Sequence, residues 1–318
     1  MRGAVINQYG DSNQLEVIDI AVPGIQADEV LVENVATSIN PIDYKARQGL
    51  LQGIFQWQLP VVLGWDVAGK IIAVGDDVND FHVGDDVFAR PDIDATGKNG
   101  SYAEYTAIKA NKLAYKPANI SFEEAAAVPL AGLTALQMLR QLQVKAGQKI
   151  LIQAGAGGVG IYAIQLAKKL GAYVATTASE ANRDFVMGLG ADQVIDYHQN
   201  RIVDVLSDYD AVFDMAGDVD NGIAILKPGG YFVTISATLT EAQKQTADKT
   251  VETGWLDTNG QDLALLADAI SNRTLDIVVD SVYPLTTMGI RAAHERSETH
   301  HARGKIVIQI KNTVQEEK

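Results

Sequence analysis

Two hydrophobic periodicities divide the chain. From Met1 to about Asn119, apolar and polar residues alternate over short runs, as in Glu29-Val30-Leu31-Val32-Glu33-Asn34-Val35. A period of two places every second side chain on one buried face, so this half reads as a β-rich unit. The same signal predicts strands over 15–20, 67–74, 86–89 and 102–108. One helix interrupts them: Asn40 can serve as N-cap, Pro41 suits the first helical position, and 42–48 follows.

At Ser121 the pattern changes. Ser121 with Glu124 three residues on is a capping-box pair before a run of alanines and leucines. Apolar strand runs then alternate with helical ones: strands over 149–153, 173–177, 193–195, 211–215 and 231–235, helices over 158–170 and 183–189. Strict alternation of this kind predicts a doubly wound α/β sheet with parallel strands. The stretch 237–260 is polar and weakly patterned, and reads as a loop with at most a turn or two of helix. A helix over 262–270, a strand over 276–280, a helix over 287–296 and a strand over 305–310 follow.

The 318 residues, 47% hydrophobic and 21% charged, suffice for two domains with their own cores. The longest apolar stretch, 125–139, is broken by Pro129 and Gly132 and falls short of the ~20 residues a bilayer span needs. Met1-Arg2-Gly3-Ala4-Val5 enters a strand pattern with no long apolar core before it, so a cytoplasmic protein is expected. A net charge of −14 opposes binding to a nucleic-acid backbone. It also requires local positive groups wherever a phosphate-bearing cofactor sits. Cysteine is absent, which excludes disulfides, thiolate catalysis and zinc held by cysteine.

Between the first strand and first helix of the α/β half stands Ala154-Gly155-Ala156-Gly157-Gly158-Val159-Gly160, containing G-x-G-x-x-G. In a strand-loop-helix setting this spacing brings bare backbone and unpaired helix N–H groups against a diphosphate. Ala154, Gly155, Gly157, Gly158, Val159 and Gly160 are therefore candidate coenzyme contacts. An NAD site would carry an acid at the end of the second strand, but 176–179 reads Thr-Thr-Ala-Ser. Thr177 is a further candidate coenzyme contact, and Ser179, Arg183 and, after the third strand, Tyr197 suit the 2′-phosphate of NADPH; Glu180, one step beyond, keeps NADH open. Arg183 can equally be a solvated helix residue.

These residues resemble a known family. The run 147–151 with Gly157, Gly158, Gly160, Gln165 and Lys168 is similar to the quinone oxidoreductase and zeta-crystallin signature. That is the zinc-free branch of the medium-chain dehydrogenase/reductase superfamily. Asn40-Pro41-Ile42-Asp43-Tyr44-Lys45, the run 60–69, Gly132-Leu133-Thr134 and Arg303-Gly304-Lys305-Ile306-Val307 extend the likeness over nearly the whole chain. The resemblance implies a GroES-like β-barrel catalytic domain over 1–120 and 277–318. A Rossmann dinucleotide-binding domain over 121–276 would accompany it. Zinc-dependent relatives bind metal through Cys, then a Gly-His-Glu histidine, then Cys; Asn40 and Trp65 occupy the first two positions here, and no metal is expected. His300-His301 reads as a solvated pair.

The resemblance further implies NADPH-dependent hydride transfer to a quinone or enone by a homodimer. A donor on the short helix would stabilise the negative charge growing on the carbonyl oxygen. Lys45 is the first choice, with Tyr44 and Asn40 completing the candidate catalytic set; Tyr44 can equally pack inward and Lys45 be a surface charge. Thr134 and Lys305 join the expected coenzyme contacts, Thr134 at the start of its helix. Apolar lining is expected from 50–57 and 237–260. The rivals are a zinc-free alcohol or carbonyl dehydrogenase, and a non-catalytic NADPH-binding protein of sensor or crystallin type.

Overall fold

The computed structural model describes residues 1–93, 96, 97 and 99–311. Contacts divide the chain into two compact units, Met1–Ala131 with Thr258–Lys318, and Gly132–Asp257.

In the first unit the alternating segments become two sheets. Arg2–Ile6 pairs antiparallel with Leu15–Asp19 and with Val61–Val62. A seven-stranded sheet runs in the order Val279–Pro284, Lys305–Gln309, Glu29–Ile39, Val67–Val74, Asp86–Ala89, Leu113–Tyr115, and Tyr105–Lys109 also pairs with Glu29–Ile39. Only Val279–Pro284 and Lys305–Gln309 run parallel, and the helix Thr287–Glu298 makes the crossover that parallel pairing requires. Glu29–Ile39 alternates between buried and half-buried as far as Asn34 and is buried at every position beyond it. Its polar Asn34, Thr37 and Ser38 therefore lie inside, where each must find a partner.

The helix Gly260–Ser271 belongs to this unit rather than to the sheet before it. Gly260 packs so tightly that a Cβ there would meet the Leu113 carbonyl oxygen at 2.3 Å. Asn119 also donates to the Ile270 carbonyl at 3.1 Å.

The second unit is one parallel sheet in the order Gln193–Asp196, Tyr173–Ala178, Lys149–Ile152, Tyr209–Asp214, Leu226–Thr234, Thr250–Thr253. Counted along the chain this is 3-2-1-4-5-6, the dinucleotide-binding order, whose direction reverses on either side of Lys149–Ile152. Leu151, Val212 and Phe232 are buried completely, each adding ~2 kcal/mol of apolar burial.

The sixth strand corrects the reading of 237–260 as loop. Thr250–Thr253 is a four-residue edge strand with one buried side chain, Val251, too short for a period to show. The same region carries the helical turn Glu241–Lys244. The Ser121 cap forms as expected, with Glu124 N–H donating to Ser121 Oγ at 3.1 Å and Ser121 N–H to Glu124 at 2.8 Å. It opens only the short helix Phe122–Ala126; a second helix, Pro129–Gln141, begins at a proline. Thr134 thus lies inside that helix, not at its start. Among the described residues no helix is long and apolar enough to cross a membrane.

Candidate active site

The glycine loop leaves the sheet at the point where strand order reverses. Ala154 takes the left-handed conformation, φ 55°, a region non-glycine residues seldom visit. Thr177 of the neighbouring strand holds it there. Ala154 N–H donates to Thr177 Oγ1 at 2.8 Å, and Gly155 N–H to the Thr177 carbonyl at 3.0 Å.

A Cβ at Gly155 would stand 2.0 Å from Thr176 Oγ1, a hydroxyl itself bonded to the Ile152 carbonyl at 2.6 Å. A Cβ at Gly160 would stand 2.5 Å from the Ala154 carbonyl oxygen. Gly157 differs, because its Cβ would meet only Ala154 O at 3.3 Å. Two glycines thus serve packing, and the third leaves room beside the loop. The helix Gly160–Lys169 starts without a capping side chain, since Val159 stands at its N-cap. Within its first turn Ile161 N–H instead donates to the Gly157 carbonyl at 3.1 Å, which ties the helix start to the loop.

At the far end of the loop Ala178 and Asp196 are paired, so Ser179 and Tyr197 follow at adjacent strand ends. Arg183 donates from Nε to Glu180 at 2.8 Å and from Nη1 to the Val194 carbonyl at 3.3 Å. Tyr197 is half exposed and packs on His198, ring centroids 4.2 Å apart. Thr177, read as a coenzyme contact, is committed through its hydroxyl to the loop backbone and acts as its brace.

A further pair here was not foreseen. Buried Asp214 accepts from the N–H groups of Ala216 and Gly217 at 2.9 and 2.8 Å and from Thr234 Oγ1 at 2.6 Å. Thr234 Oγ1 in turn accepts from Ser236 N–H at 3.1 Å. The loops after the fourth and fifth strands are locked by one carboxylate, which an acid ending an apolar strand run could have signalled.

In the first unit, register assembles a second polar group. Ile306 pairs with Ile39, so Lys305 falls beside Asn40; Ala68 pairs with Ala36, which carries Asp66 toward Ser38. Asp66 Oδ2 accepts from Ser38 Oγ at 2.6 Å, Asn40 Nδ2 at 2.7 Å and Lys305 Nζ at 3.2 Å, and Oδ1 accepts from Leu130 N–H at 2.6 Å. Lys305 Nζ also donates to the Ile39 carbonyl at 2.9 Å and to Asn40 Oδ1.

This corrects the reading of Lys305 as a coenzyme contact, because a buried ammonium with three acceptors has its donors filled. Asn40 heads the helix Pro41–Arg47 as expected, its N–H bonded to Asp43 Oδ2 at 2.6 Å. Its side chain is spent on Asp66 and Lys305, which leaves it a positioning role.

Lys45 is half-buried on that helix; its carbonyl accepts from Leu50 N–H at 3.0 Å, while its ammonium makes no hydrogen bond or ion pair among the described residues. Tyr44 turns inward, edge-on to His300 with centroids 6.1 Å apart. Burial and the nearby Glu298 charge hold its phenol above the ordinary range. Of the two, Lys45 is the more exposed. Trp65 is buried against Phe55 and Trp57, which stack at 4.7 Å, so these two rings pack on the core of the first unit. Leu50 and Ile54 of the same segment are exposed. No three His, Asp or Glu side chains gather to hold a metal among the described residues.

Residues 26–118 match the alcohol dehydrogenase GroES-like domain family and 189–308 the zinc-binding dehydrogenase family. A chloroplastic NADPH-dependent alkenal/one oxidoreductase of Arabidopsis thaliana is 38% identical over 97% of this chain and 79% of its own length. The structure of a quinone oxidoreductase from Coxiella burnetii superposes with a TM-score of 0.90 at 34% identity, covering 98% of this chain and 99% of that one. The Escherichia coli quinone oxidoreductase complexed with NADPH superposes at 0.86 and 28% identity, covering 98% and 100%. The chain belongs to the medium-chain dehydrogenase/reductase superfamily, alongside its quinone oxidoreductases and alkenal/one oxidoreductases.

Proposed function

We propose that this protein is a metal-independent reductase that transfers hydride from NADPH to a quinone or an α,β-unsaturated carbonyl compound. The observation that carries the reading is the glycine loop braced by Thr177 at the switch point of a 3-2-1-4-5-6 sheet. The relative that is NADPH-dependent by name supports the choice of coenzyme.

The loop Ala154–Gly160 holds the diphosphate on backbone N–H groups, with Gly157 leaving room for its approach. Ser179, Arg183 and Tyr197 receive the phosphorylated ribose, and Thr134 contacts the nicotinamide end. A reduced nicotinamide supplies hydride. Lys45 donates from its ammonium to the oxygen that gains negative charge, while Asn40, tied to Asp66 and Lys305, fixes the helix that carries it. The enolate or hydroquinone takes its proton from water. With no cysteine in the chain and Trp65 at the place of the histidine ligand, this donor set offers zinc nothing to bind.

The protein works in the cytoplasm as a homodimer on this reading, an assembly that light scattering on the purified chain tests. The function is tested by a spectrophotometric screen with NADPH and NADH against quinones, enones, aldehydes and simple alcohols, with and without a chelator. Turnover of quinones or enones that survives chelation is expected. Activity lost on chelation, turnover confined to simple alcohols, or tight NADPH binding with no acceptor reduced would each overturn it.

A further inference from the structure

Beneath the helix Pro41–Arg47 lies a buried polar group that the proposed chemistry does not use. Asp43 and Arg47 stand one turn apart on that helix, His294 on the helix Thr287–Glu298, and Tyr102 just ahead of Tyr105–Lys109. All four side chains are fully buried. Six of their polar atoms have no hydrogen-bond partner among the described residues: Asp43 Oδ1, Arg47 Nε and Nη1, the Tyr102 hydroxyl, and both ring nitrogens of His294.

The four residues neighbour one another. The Tyr102 and His294 rings meet edge-on with centroids 5.7 Å apart. The Tyr102 hydroxyl neighbours the Asp43 carboxyl without reaching hydrogen-bond geometry, and the Arg47 charge acts on both Tyr102 and His294. Elsewhere these residues are satisfied: Asp43 Oδ2 accepts from Asn40 N–H at 2.6 Å, and Arg47 Nη2 donates to Glu298 at 2.6 Å.

A buried polar atom with no partner forfeits its hydration outright, and native interiors leave few such atoms. The donor and acceptor inventory selects the partner. An anion would meet the Asp43 carboxyl and the lone pair of a neutral His294, and a cation would meet Arg47. Water both donates and accepts. The site offers Arg47 Nε–H and Nη1–H, the Tyr102 O–H and one His294 N–H as donors, with Asp43 Oδ1 and the other His294 nitrogen as acceptors.

We propose that Asp43, Arg47, Tyr102 and His294 enclose a cluster of internal water that ties the helix Pro41–Arg47 to the helix Thr287–Glu298 and so positions Asn40 and Lys45. Bridging water spans polar groups too far apart to bond directly. Side chains from separate elements are then held at one spacing.

The decisive variant is Tyr102→Phe, which keeps the ring and removes the hydroxyl. A high-resolution crystal structure of the unaltered protein is expected to show water bonded to Tyr102 Oη, His294 and Arg47. In the variant, Tm falls by ~2–4 °C, and kcat/KM for an enone falls while the Kd for NADPH is unchanged. If the variant does not fold, Asp43→Asn is measured in the same way. Side chains seen bonding one another directly, bromide occupying the site in a soaked crystal, or a Tm unchanged or raised by Tyr102→Phe would overturn the proposal. An unaltered kcat/KM would overturn the positioning role. The crystallographic and thermal readouts stand apart from the reductase reading, so either can fail alone.

Discussion

Lys305 Nζ lies 3.2 Å from Asp66 Oδ2, and the two side chains are 2% and 0% exposed. Taking charges out of water is costly, and the pair survives because Ser38, Asn40, Leu130 and Ile39 fill the remaining hydrogen bonds. Lys305→Met leaves a buried carboxylate without its counter-charge. A loss of ~3 kcal/mol in unfolding free energy is expected from urea titration, with kcat/KM reduced as Asn40 loses an anchor. Unchanged stability would remove the pair from the unit's architecture.

Gly155 and Gly157 separate packing from ligand approach. Gly155→Ala forces a methyl against Thr176 Oγ1, so both folding stability and NADPH binding should fall. Gly157→Ala meets only Ala154 O at 3.3 Å; Tm should hold, while the Kd for NADPH by fluorescence titration rises ~10-fold or more, equal to ~1.4 kcal/mol. Equal effects at the two positions would refute the distinction.

Lys45 is the test of the chemical step. Removing one donor aimed at a developing oxyanion costs ~100-fold or more. Lys45→Ala should lower kcat for an enone on that scale, with KM for NADPH little changed. An intact kcat assigns oxyanion stabilisation to another group.

Asp43 titrates in opposition to His294. Burial lifts the Asp43 carboxyl from 3.8 to about 7, outweighing the Asn40 N–H bond and Tyr102 that favour its charge, with Asp66 raising it and Lys305 lowering it. Half-buried Arg90 also feels the Asp43 charge. A raised carboxyl pKa means the folded state holds the proton more tightly. That stability is complete below the unfolded value and disappears as pH rises from about 4 to about 7. Burial, and then the Arg47 charge, lower His294 from 6.5 to about 3, so its contribution grows over about pH 3 to 6.5. The two slopes, each ~1.4 kcal/mol per pH unit, nearly cancel between pH 4 and 6.5. Asp43→Asn should expose the His294 slope, with stability rising over that interval in urea titrations at fixed pH. A flat profile would contradict it.

Glu180 bears on coenzyme choice through its 2.8 Å pair with Arg183. A carboxylate here repels a 2′-phosphate and occupies the cation expected to bind it. Glu180→Ala should favour NADPH over NADH by roughly fivefold in kcat/KM, near the ~1 kcal/mol ceiling of an exposed pair. A shift toward NADH would show that Arg183 does not reach the phosphate.

What the sequence determined by itself is everything carried by short spacing. The alternation of 29–35, the Asn40-Pro41 helix start, the Ser121–Glu124 cap and the glycine loop are all legible, because their partners lie within a few residues and period or spacing encodes them. Thr250–Thr253 lay beyond that reach: four residues with one buried side chain show no period, and only a neighbouring strand makes them a strand. The junction of Lys305, Asn40 and Asp66 and the burial of Asp43, Arg47, Tyr102 and His294 were decided by the tertiary structure. Strand register and helix packing bring together residues as far apart as Ile39 and Lys305, 266 positions along the chain, and whether a charged side chain meets water or a partner there is a property of the assembled interior, not of its neighbours along the chain.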